Sequence, residues 1–488
     1  MVELDPWGSA SVEDYSKLFE EFGITEFDET VFDDVEADGE AVEPLDLMRR
    51  GIIFGERDYD LVVDAMREGD DYAALSGFMP SGPLHVGHMM VFRELVWHQR
   101  QGAETYFVVA DLEAHSARGV TWEECERYAV DYVASLLALG FDADEGHVYR
   151  QSENDRLRHL AFELSEKTNY NEMNAIYGFD GETNLGHVNS TLTQAADILY
   201  PQIDEPKPTV IPVGADQDPH MRLTRGLARR MRMFGVNEAY ASFELDESQR
   251  TAVSEALALL GNEATAADVA GHLRESHTED EGLLDKLDNA GDEPLEHRVR
   301  VLSRDSPREA FDEVAESLRD GYDEVEVYGE HVDVYDASVR EVDEVVRDVE
   351  VEHGGYGFYP PSSIYHRFQT GLTGGKMSSS VEKSHVALTD TPEDGYDKVM
   401  SAETGGRETA ELQRELGGEA EKCPVYELYA YSLAEDDEHA KRVYDECVGG
   451  ERLCGECKSE AAGLMQEFLE EHAERREEHI DEARSLLG

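Results

Sequence analysis

The sequence predicts an α/β protein with a doubly wound parallel sheet, an inserted α+β segment and a C-terminal α-helical domain. Three observations predict this fold class: apolar strand-like segments alternate with helical patterns over residues 70–246, the pattern changes over 247–355, and it is helical from about residue 390 onwards. Strands that alternate with helices are typical of parallel sheets with helices on both faces. Because one hydrophobic core rarely exceeds about 250–300 residues, a chain of 488 residues is expected to form several domains.

Strand and helix patterns alternate in the first large segment of the chain. Short apolar segments bounded by polar residues predict strands at 72–79, 105–111, 147–149 and 209–213. Helical spacing of apolar residues predicts helices at 86–101, 121–139, 154–166, 189–199 and 219–234. The strand TYFVVAD at 105–111 is almost continuously apolar, as expected of a buried parallel strand. Thr121 is placed to cap the helix that follows it.

The segment 247–355 differs from what precedes it and is predicted to be an acidic insertion of unknown role. Its spacing predicts helices at 251–260 and 265–275, an acid-rich loop at 278–293 and a β-hairpin at 323–335. The insertion therefore mixes helices and strands and interrupts the alternating pattern.

Three further stretches complete the division of the chain. Residues 1–69 are predicted to be an acidic N-terminal appendage with a short helix from Ala10 to Phe22. Residues 356–389 are rich in Gly and Ser, and 390–488 are helical and end in a highly charged helix from Ser459 to Leu487. The predicted divisions are 1–69, 70–246, 247–355, 356–389 and 390–488.

Acidic residues outnumber basic ones by 109 to 43, which gives a net charge of −66. A disordered acidic chain is one interpretation, but 22 Tyr, 17 Phe and many periodic apolar segments indicate folded cores. The balance is typical of a folded protein with an acidic shell in a salt-saturated cytoplasm, where a Debye length of about 3 Å screens self-repulsion. The chain lacks a run of about 18 apolar residues, and its start, MVELDPWGSASVEDY, lacks the features of a signal peptide. We therefore expect a cytoplasmic, halophilic protein without a membrane partner.

Three of the predicted strands are followed by polar sequence. The run PSGPLHVGH at 80–88 follows the strand at 72–79, Asp111-Leu112-Glu113 follows the next strand, and GADQD at 214–218 follows the strand at 209–213. Ligands of doubly wound sheets bind outside the carboxyl ends of the strands. These three runs are therefore predicted to form one cleft.

The run HVGH contains residues suited to a nucleotide. It lies where a helix is predicted to begin, and the free N–H groups and dipole of a helix N-terminus attract phosphate. His85 and His88 are three residues apart and share one face of a helix, and Gly87 leaves room for an aromatic ring beside the backbone. Two surface histidines near a turn are the alternative, but the preceding strand and PSGP turn favour a nucleotide site.

A second candidate for phosphate contacts is GGKMSSS at 374–380. Its glycines are expected to make the loop mobile, Lys376 supplies a point charge, and the serines supply hydrogen-bond donors. A flexible polar linker is the alternative. The presence of PSGPLHVGH in the same chain favours the phosphate-binding interpretation.

Together the two runs resemble the HIGH and KMSKS signatures of class I aminoacyl-tRNA synthetases. The segment IPVGADQDPHMRLTR at 211–225 is similar to the hallmark of the tryptophanyl enzymes of the archaeal and eukaryotic type. The resemblance covers about 70–246 and 356–488. It implies a Rossmann-like catalytic domain in 70–246, completed by the KMSSS loop region at 356–389, and an anticodon-binding helical domain in 390–488.

The resemblance also implies an activity and its participants. The family activates L-tryptophan with ATP to tryptophanyl-adenylate and transfers it to the 3′ end of tRNA(Trp), with Mg²⁺ accompanying ATP, as a homodimer. Carried to matching positions, it implies three catalytic residues, His85, His88 and Lys376. The implied ATP-binding residues are Pro80, Ser81, His85, Gly87, His88, Gly214, Asp216, Lys376, Met377, Ser378 and Ser379. The implied tryptophan-binding residues are Glu113, Gln194 and Gln217.

This sequence departs from the family pattern where the indole is bound. The eukaryotic enzymes use a Tyr and a Gln for the indole N–H, and Leu75 and Val108 occupy those positions here. Asn189 and Tyr177 are the candidates to replace them. Three alternatives stay open: a tyrosyl-tRNA synthetase, a nucleotidyltransferase that shares only H-x-G-H, and a non-catalytic synthetase paralogue with a regulatory or tRNA-binding role.

Four of the five cysteines lie in the last 66 residues, at Cys423, Cys447, Cys454 and Cys457. Four thiolates that end in C-x2-C suit tetrahedral zinc or a [4Fe–4S] cluster, and scattered structural cysteines are the alternative. Some tryptophanyl enzymes carry a nearly identical spacing that holds an iron–sulfur cluster. The resemblance therefore favours a [4Fe–4S] cluster, with zinc as the second choice.

Overall fold

The structure is a computed structural model of the chain. It describes residues 19, 23–37, 39–240, 245, 247–260, 264–276, 280–292, 295, 297–375, 377 and 381–488. Of the predicted elements and site residues, the helix from Ala10 to Phe22 lies outside these residues except at Phe19, as do Lys376, Ser378 and Ser379.

The chain divides into two compact units. The large unit comprises Met1–Ile203, Lys207–Ala228 and Tyr359–Gly488, and the inserted unit comprises Asp204–Pro206 and Arg229–Phe358. The strands of their main sheets, in chain order, are β1 (Thr25–Glu26), β2 (Ile53–Arg57), β3 (Ala73–Phe78), β4 (Glu104–Val109), β5 (Gly146–Arg150), β6 (Thr209–Gly214), β7 (Phe234–Tyr240), β8 (His297–Ser303), β9 (Val325–Val327), β10 (His331–Tyr335) and β11 (Ser362–His366).

The α-helices are numbered along the whole chain. They are α1 (Asp46–Arg49), α2 (Asp60–Glu68), α3 (Met89–Arg100), α4 (Asp111–Arg118), α5 (Trp122–Ala138), α6 (Asp155–Ser165), α7 (Tyr170–Tyr177), α8 (Leu185–Leu199), α9 (Asp218–Met231), α10 (Glu247–Leu260), α11 (Ala266–Glu275), α12 (Glu281–Ala290), α13 (Arg308–Gly321), α14 (Val339–Glu352), α15 (Pro392–Ser401), α16 (Ala410–Leu416), α17 (Pro424–Leu428), α18 (Asp437–Val448) and α19 (Cys454–Leu487).

The large unit contains a seven-stranded sheet in the order β1-β2-β11-β6-β3-β4-β5. The run from β11 to β5 is parallel, and β2 and β1 are antiparallel to their neighbours. The central strands are apolar and buried on both faces, which a sheet covered by helices on both sides requires. The predicted α/β class is therefore confirmed.

Residues 23–69 do not lie outside this sheet. They contribute β1 and β2, and β2 pairs with β11 in a register that sets Tyr365 opposite Gly55.

 Counted from the last residue of β2, Arg57, to the first residue of β11, Ser362, the separation is 305 residues. The domain boundary predicted at residue 69 therefore does not correspond to a break in the sheet. It was misplaced because strand pairing at this distance leaves no local signal in the sequence.

The helical end of the chain packs within the large unit. The long helix α19 lies against α5 and α15, and Leu469 and Met465 of α19 are buried. A Cβ atom on Gly395 of α15 would lie 2.2 Å from Leu469 Cδ1, so this close approach requires glycine. The predicted C-terminal helical region is present, and its last helix begins at Cys454 rather than at Ser459.

The inserted unit is an α+β unit, as predicted. Its four-stranded antiparallel sheet has the order β9-β10-β8-β7, and Phe311, Val314 and Leu318 of α13 belong to the core that it forms. The unit begins at Arg229 rather than at residue 247 because β7 pairs with β8 and not with the large sheet. The hairpin predicted at 323–335 is confirmed by the pairing of β9 with β10.

One local prediction in the insertion is wrong. The acid-rich segment 278–293, predicted to be a loop, contains the helix α12. Leu283 and Leu287 lie four residues apart and are fully buried in a cluster with Val253 and Leu273. Two apolar residues at helical spacing therefore outweigh the acidic composition, because tertiary burial stabilises a short helix more than propensity does.

Among the residues that the structure describes, we find no helix long and apolar enough to cross a membrane.

Candidate active site

A cleft of about 400 Å³ lies at the carboxyl ends of β3, β4, β6 and β11 in the large unit. The three polar runs predicted to converge all contribute to it. Its lining includes ten of the predicted site residues, namely Ser81, His85, Gly87, His88, Glu113, Gln194, Gly214, Asp216, Gln217 and Met377. Pro80 is buried but is not among the lining residues.

The two histidines of HVGH stack on each other at the mouth of α3. Their ring centroids are 3.8 Å apart, and the backbone N–H of His85 donates to Nδ1 of His88 at 3.1 Å. Burial, followed by the proximity of His88 and His385, holds the pKa of His85 well below its usual range. His85 is therefore neutral at physiological pH and acts as a hydrogen-bonding group rather than as a cation.

Backbone hydrogen bonds hold this turn against a later segment of the chain. Val86 N–H donates to the carbonyl of Val386 at 3.0 Å, and Leu388 N–H donates to the carbonyl of Leu84 at 2.8 Å. The Tyr132 hydroxyl donates to the carbonyl of Gly82 at 2.6 Å. The turn is thereby fixed by contacts on both sides, which keeps the histidines in place before a ligand binds.

Gly87 and Met377 meet at one wall of the cleft. A Cβ atom on Gly87 would lie 3.0 Å from His85 Nδ1 and 3.1 Å from Met377 Sδ, so the wall has no room for a larger residue. Met377 N–H donates to the carbonyl of Gln369 at 3.3 Å. This contact joins the described part of the KMSSS region to the cleft.

Gln369 is a cleft residue that the sequence analysis missed. Its side chain is 3% exposed, and neither its amide nitrogen nor its amide oxygen has a hydrogen-bond partner in the structure. A buried polar group without a partner costs free energy, about 1–3 kcal/mol. Gln369 lines the cleft and is therefore available to a bound ligand. Its only sequence signal is its position eight residues before Met377.

The residues predicted to bind the amino acid lie on three elements. Glu113 is on α4, Gln194 is on α8, and Gln217 is in the 3-10 turn Ala215–Gln217 before α9. Gln194 Nε2 donates to Gln217 Oε1 at 3.3 Å. The structure thus brings together a carboxylate and two amides. Their oxygens can accept hydrogen bonds from the three N–H groups of an ammonium ion.

Asp197 is the second cleft residue that the sequence analysis missed. It lies one helical turn after Gln194 on α8, is 1% exposed, and lines the cleft with Leu75 and Val108. The Tyr149 hydroxyl donates to Asp197 Oδ1 at 2.9 Å, and Gln151 Nε2 donates to Oδ2. Burial raises the pKa of Asp197 to about 8, against the lowering effect of these two donors.

The two residues suggested as replacements for the missing indole contacts do not line the cleft. Asn189 is exposed on α8. The Tyr177 hydroxyl is 2.8 Å from Nδ1 of His220, and it is His220 that lines the cleft. Which side of α8 faces the cleft, and how Tyr177 is oriented, depend on packing that the sequence does not show. The sequence signal for Asp197 was its position three residues after Gln194, which places both side chains on one face of α8.

The DQDP run divides between the cleft and the sheet. Asp216 and Gln217 line the cleft, whereas Asp218 is fully buried and anchors the start of α9. Asp218 Oδ1 accepts from Arg57 at 2.7 Å and from the Tyr365 hydroxyl at 2.8 Å. These partners are on the neighbouring strands β2 and β11, so the sheet holds the start of α9 and thereby positions the residues that face the cleft.

The four C-terminal cysteines line one small enclosed cavity together with Arg452. All four are free, and the backbone approaches them closely. A Cβ atom on Gly406 would lie 2.5 Å from Cys454 Sγ, and one on Gly418 would lie 2.7 Å from Cys447 Sγ. The structure therefore brings the four predicted ligands together around a cradle made of thiols and glycine backbone.

In the described part of the chain, no three His, Cys, Asp or Glu side chains are placed so that they could hold a metal ion. Burial raises the pKa of Cys457 to about 12 and that of Cys447 above its usual value. These two thiols are thus protonated in the absence of metal, and metal binding would have to release their protons.

Comparison with known proteins gives a consistent result. The family model described as class I tRNA synthetases (W and Y) matches residues 67–245 and 340–470. Tryptophan–tRNA ligase 1 of Halobacterium salinarum is 53% identical, with 98% of this chain and 94% of the relative covered. The tryptophan–tRNA ligase of Methanosarcina acetivorans is 43% identical, with 99% of each chain covered.

A solved structure is similar over the same length. The crystal structure of tryptophanyl-tRNA synthetase from Aeropyrum pernix is 33% identical, with a TM-score of 0.67 and 99% of each chain covered.

Proposed function

Because the chain belongs to the family of class I tRNA synthetases for tryptophan and tyrosine, we propose that it is a tryptophan–tRNA ligase. It activates L-tryptophan with ATP to tryptophanyl-adenylate and transfers the tryptophanyl group to the 3′ end of tRNA(Trp). The observation that carries the proposal is the single cleft that joins HVGH to Glu113, Gln194, Gln217 and the buried Asp197.

The ATP half of the cleft lies between HVGH and Met377. His85, which is buried and neutral, and His88 hydrogen-bond to the phosphates, and Gly87 lets the adenine ring approach the backbone. The unpartnered amide of Gln369 supplies a further hydrogen bond to the nucleotide. Lys376, Ser378 and Ser379 are assigned to the phosphates from the resemblance alone. Mg²⁺ accompanies ATP and is held mainly by its phosphates.

The amino-acid half of the cleft contacts both the α-ammonium group and the indole ring of the substrate. Glu113 and the two amides bind the α-ammonium group, so that the carboxylate of tryptophan faces the α-phosphate of ATP. In-line attack on that phosphate releases pyrophosphate, and the contribution of the protein is orientation and charge stabilisation. The indole occupies the apolar part of the cleft between Leu75 and Val108.

Asp197 distinguishes tryptophan from tyrosine in this proposal. The indole ring has one N–H donor and no acceptor, so a carboxylate that already receives two hydrogen bonds still has lone pairs for it. Tyr149 and Gln151 hold the carboxylate in place. A site built to bond one polar atom rejects substrates that lack it by a large factor.

The deciding experiment is amino-acid-dependent exchange of pyrophosphate into ATP, measured in molar KCl. We expect exchange that depends on tryptophan and not on tyrosine. Exchange that depends on tyrosine would make the protein a tyrosyl enzyme. Absence of exchange with every amino acid would favour a non-catalytic paralogue with a regulatory or tRNA-binding role.

We also propose that the four cysteines hold a [4Fe–4S] cluster in the helical region 390–488, which would bind the anticodon. The enclosed cradle of four thiols supports a metal centre, and the resemblance of the cysteine spacing to that of cluster-holding tryptophanyl enzymes favours [4Fe–4S] over zinc. Protein purified without oxygen should be brown and absorb at about 400 nm. A colourless protein with one zinc per chain would instead support zinc, and a Cys454→Ser variant provides the matched control.

A homodimer and a cytoplasmic location complete the proposal. Phe162, Tyr170 and Leu185 are 73%, 46% and 77% exposed on α6, α7 and α8. Apolar side chains exposed at this level favour association, and molar salt screens the repulsion between acidic subunits. Light scattering in KCl should give the mass of a dimer, and Phe162→Glu with Leu185→Glu should give a monomer. A dimeric double variant would place the interface elsewhere.

A further inference from the structure

A groove in the inserted unit carries three arginines in a protein dominated by carboxylates. The groove has a volume of about 600 Å³. Arg229 is at the end of α9, Arg250 is on α10, and Arg304 follows β8. Its other lining residues are Val236, Asn237, Glu238, Thr251, Ser254, Glu255 and Val339.

These arginines differ from others in the same unit. Arg232 pairs with Glu350 and Asp343, and Arg300 pairs with Asp333. By contrast, the side chains of Arg229 and Arg250 have no ion pair or hydrogen bond in the described part of the chain.

Among the described residues, Arg304 has no carboxylate partner either. One nitrogen of its guanidinium donates to the backbone carbonyl of Arg229 at 2.6 Å, which holds it at the groove and leaves its remaining donors available. Of the two lining carboxylates, Glu238 faces His297 at 3.7 Å, and Glu255 is exposed. Three cations thus converge where acidic residues outnumber basic ones by 109 to 43.

The chemistry of the lining indicates which ligand would fit. Arginine forms bidentate hydrogen bonds with phosphate oxygens, and Asn237, Thr251 and Ser254 add uncharged polar groups. Val236 and Val339 are the apolar lining residues, and the described lining contains no aromatic ring on which a base could stack. The groove therefore suits a sugar–phosphate backbone rather than a base.

We propose that this groove binds phosphate groups of the tRNA backbone through Arg229, Arg250 and Arg304. The inference rests on the proposed function for the identity of the RNA. Arg250 and Arg304 lie outside the segments that the family model matches, so the inserted unit adds this contact to the family's catalytic domain. Arginine keeps its hydrogen-bond geometry in molar salt, where the gain from counterion release is small.

The test uses the full-length protein and two charge-matched variants. The groove variant is Arg229→Gln, Arg250→Gln, Arg304→Gln. The control variant is Arg308→Gln, Arg319→Gln, Arg340→Gln, which removes two exposed arginines from α13 and one half-buried arginine from α14 of the same unit. Affinity for a tRNA(Trp) transcript is measured over a range of KCl concentrations, together with the KM for tRNA in aminoacylation and with tryptophan-dependent pyrophosphate exchange.

We expect the groove variant to raise the KM for tRNA by about tenfold or more and to reduce the salt slope of binding by about one per arginine. Pyrophosphate exchange should equal that of the parent in both variants, which also reports correct folding. Equal KM and slope in the groove and control variants would overturn the proposal. So would loss of affinity for inorganic pyrophosphate without loss of tRNA affinity, because the groove would then bind a free polyphosphate.

Failure of the proposed function has a different signature. A parent protein without tryptophan-dependent exchange would refute the activity, whereas tRNA affinity still tests the groove directly.

Discussion

Replacing Asp197 by Asn directly tests the proposed hydrogen bond between the indole N–H and the Asp197 carboxylate. The change keeps the size of the side chain but removes a carboxylate that is 1% exposed and held by Tyr149 and Gln151. Above about pH 8, where the carboxyl group of Asp197 is ionised, a hydrogen bond to this charged group contributes about 1.5–3 kcal/mol. This corresponds to a factor of about 10–150 in kcat/KM, since about 1.4 kcal/mol is tenfold. We therefore expect kcat/KM for tryptophan to fall by one to two orders of magnitude.

The assay compares tryptophan with its benzothiophene analogue, in which sulfur replaces the indole N–H. In the parent protein, pyrophosphate exchange should favour tryptophan by about the same factor that the substitution removes. In Asp197→Asn the two substrates should be used almost equally, because the double change isolates the N–H···carboxylate contact. Undiminished preference for tryptophan in the variant would refute the assignment of Asp197.

The pH dependence follows from the raised pKa of Asp197. Burial raises this pKa to about 8, so the acceptor is fully ionised only above that value. We expect the KM for tryptophan to fall as pH rises through about 8 in the parent but not in Asp197→Asn. The stability of the folded protein should fall as pH rises, while the affinity for tryptophan increases. Between about pH 4 and 8 the folded state keeps the proton on Asp197, whereas the unfolded state, with the usual pKa near 3.8, has lost it. Asp197 therefore lowers the stability of the folded protein as pH rises from about 4 to 8.

Three further substitutions test other parts of the structure. Gly87→Ala places a Cβ atom 3.0 Å from His85 Nδ1 and should raise the KM for ATP about tenfold in pyrophosphate exchange, with the KM for tryptophan unchanged. Asp218→Asn removes the fully buried carboxylate of the ion pair with Arg57 and should destabilise the protein by about 3–5 kcal/mol in urea unfolding; an unchanged midpoint would contradict its anchoring role. Leu287→Ala empties a buried position in the inserted unit and should cost about 2–5 kcal/mol there, while pyrophosphate exchange at low denaturant stays at the parent rate.

The sheet shows which parts of the fold can be predicted from sequence. The strands at 72–79 and 209–213 appear as β3 and β6 within one or two residues, because each is a short apolar segment bounded by turns. Thr121 caps α5, with its side chain accepting from Glu124 N–H at 3.3 Å. In contrast, β2 was not predicted, although Ile53 and Phe54 are buried in it, because its pairing with β11 is formed by residues far apart in the chain.

The cleft shows the same division. HVGH and Gln217 were found because each belongs to a compact run with a recognisable spacing. Gln369 and Asp197 belong to no such run, and their side chains are informative only through burial and unsatisfied or shared hydrogen bonds. The loop predicted at 278–293 was wrong for a related reason, since the burial of Leu283 and Leu287 is a property of the folded cluster.

By itself, the sequence determined the fold class, the nucleotide signatures and the candidate ligands among the cysteines. These features depend on residues a few positions apart, whose spacing sets which side chains share a turn or a helical face. Only the tertiary structure decided that Asp197 lies beside Leu75 and Val108, and that Arg229, Arg250 and Arg304 share one groove. Those neighbours are separated by tens to more than a hundred residues along the chain, so packing alone brings them together.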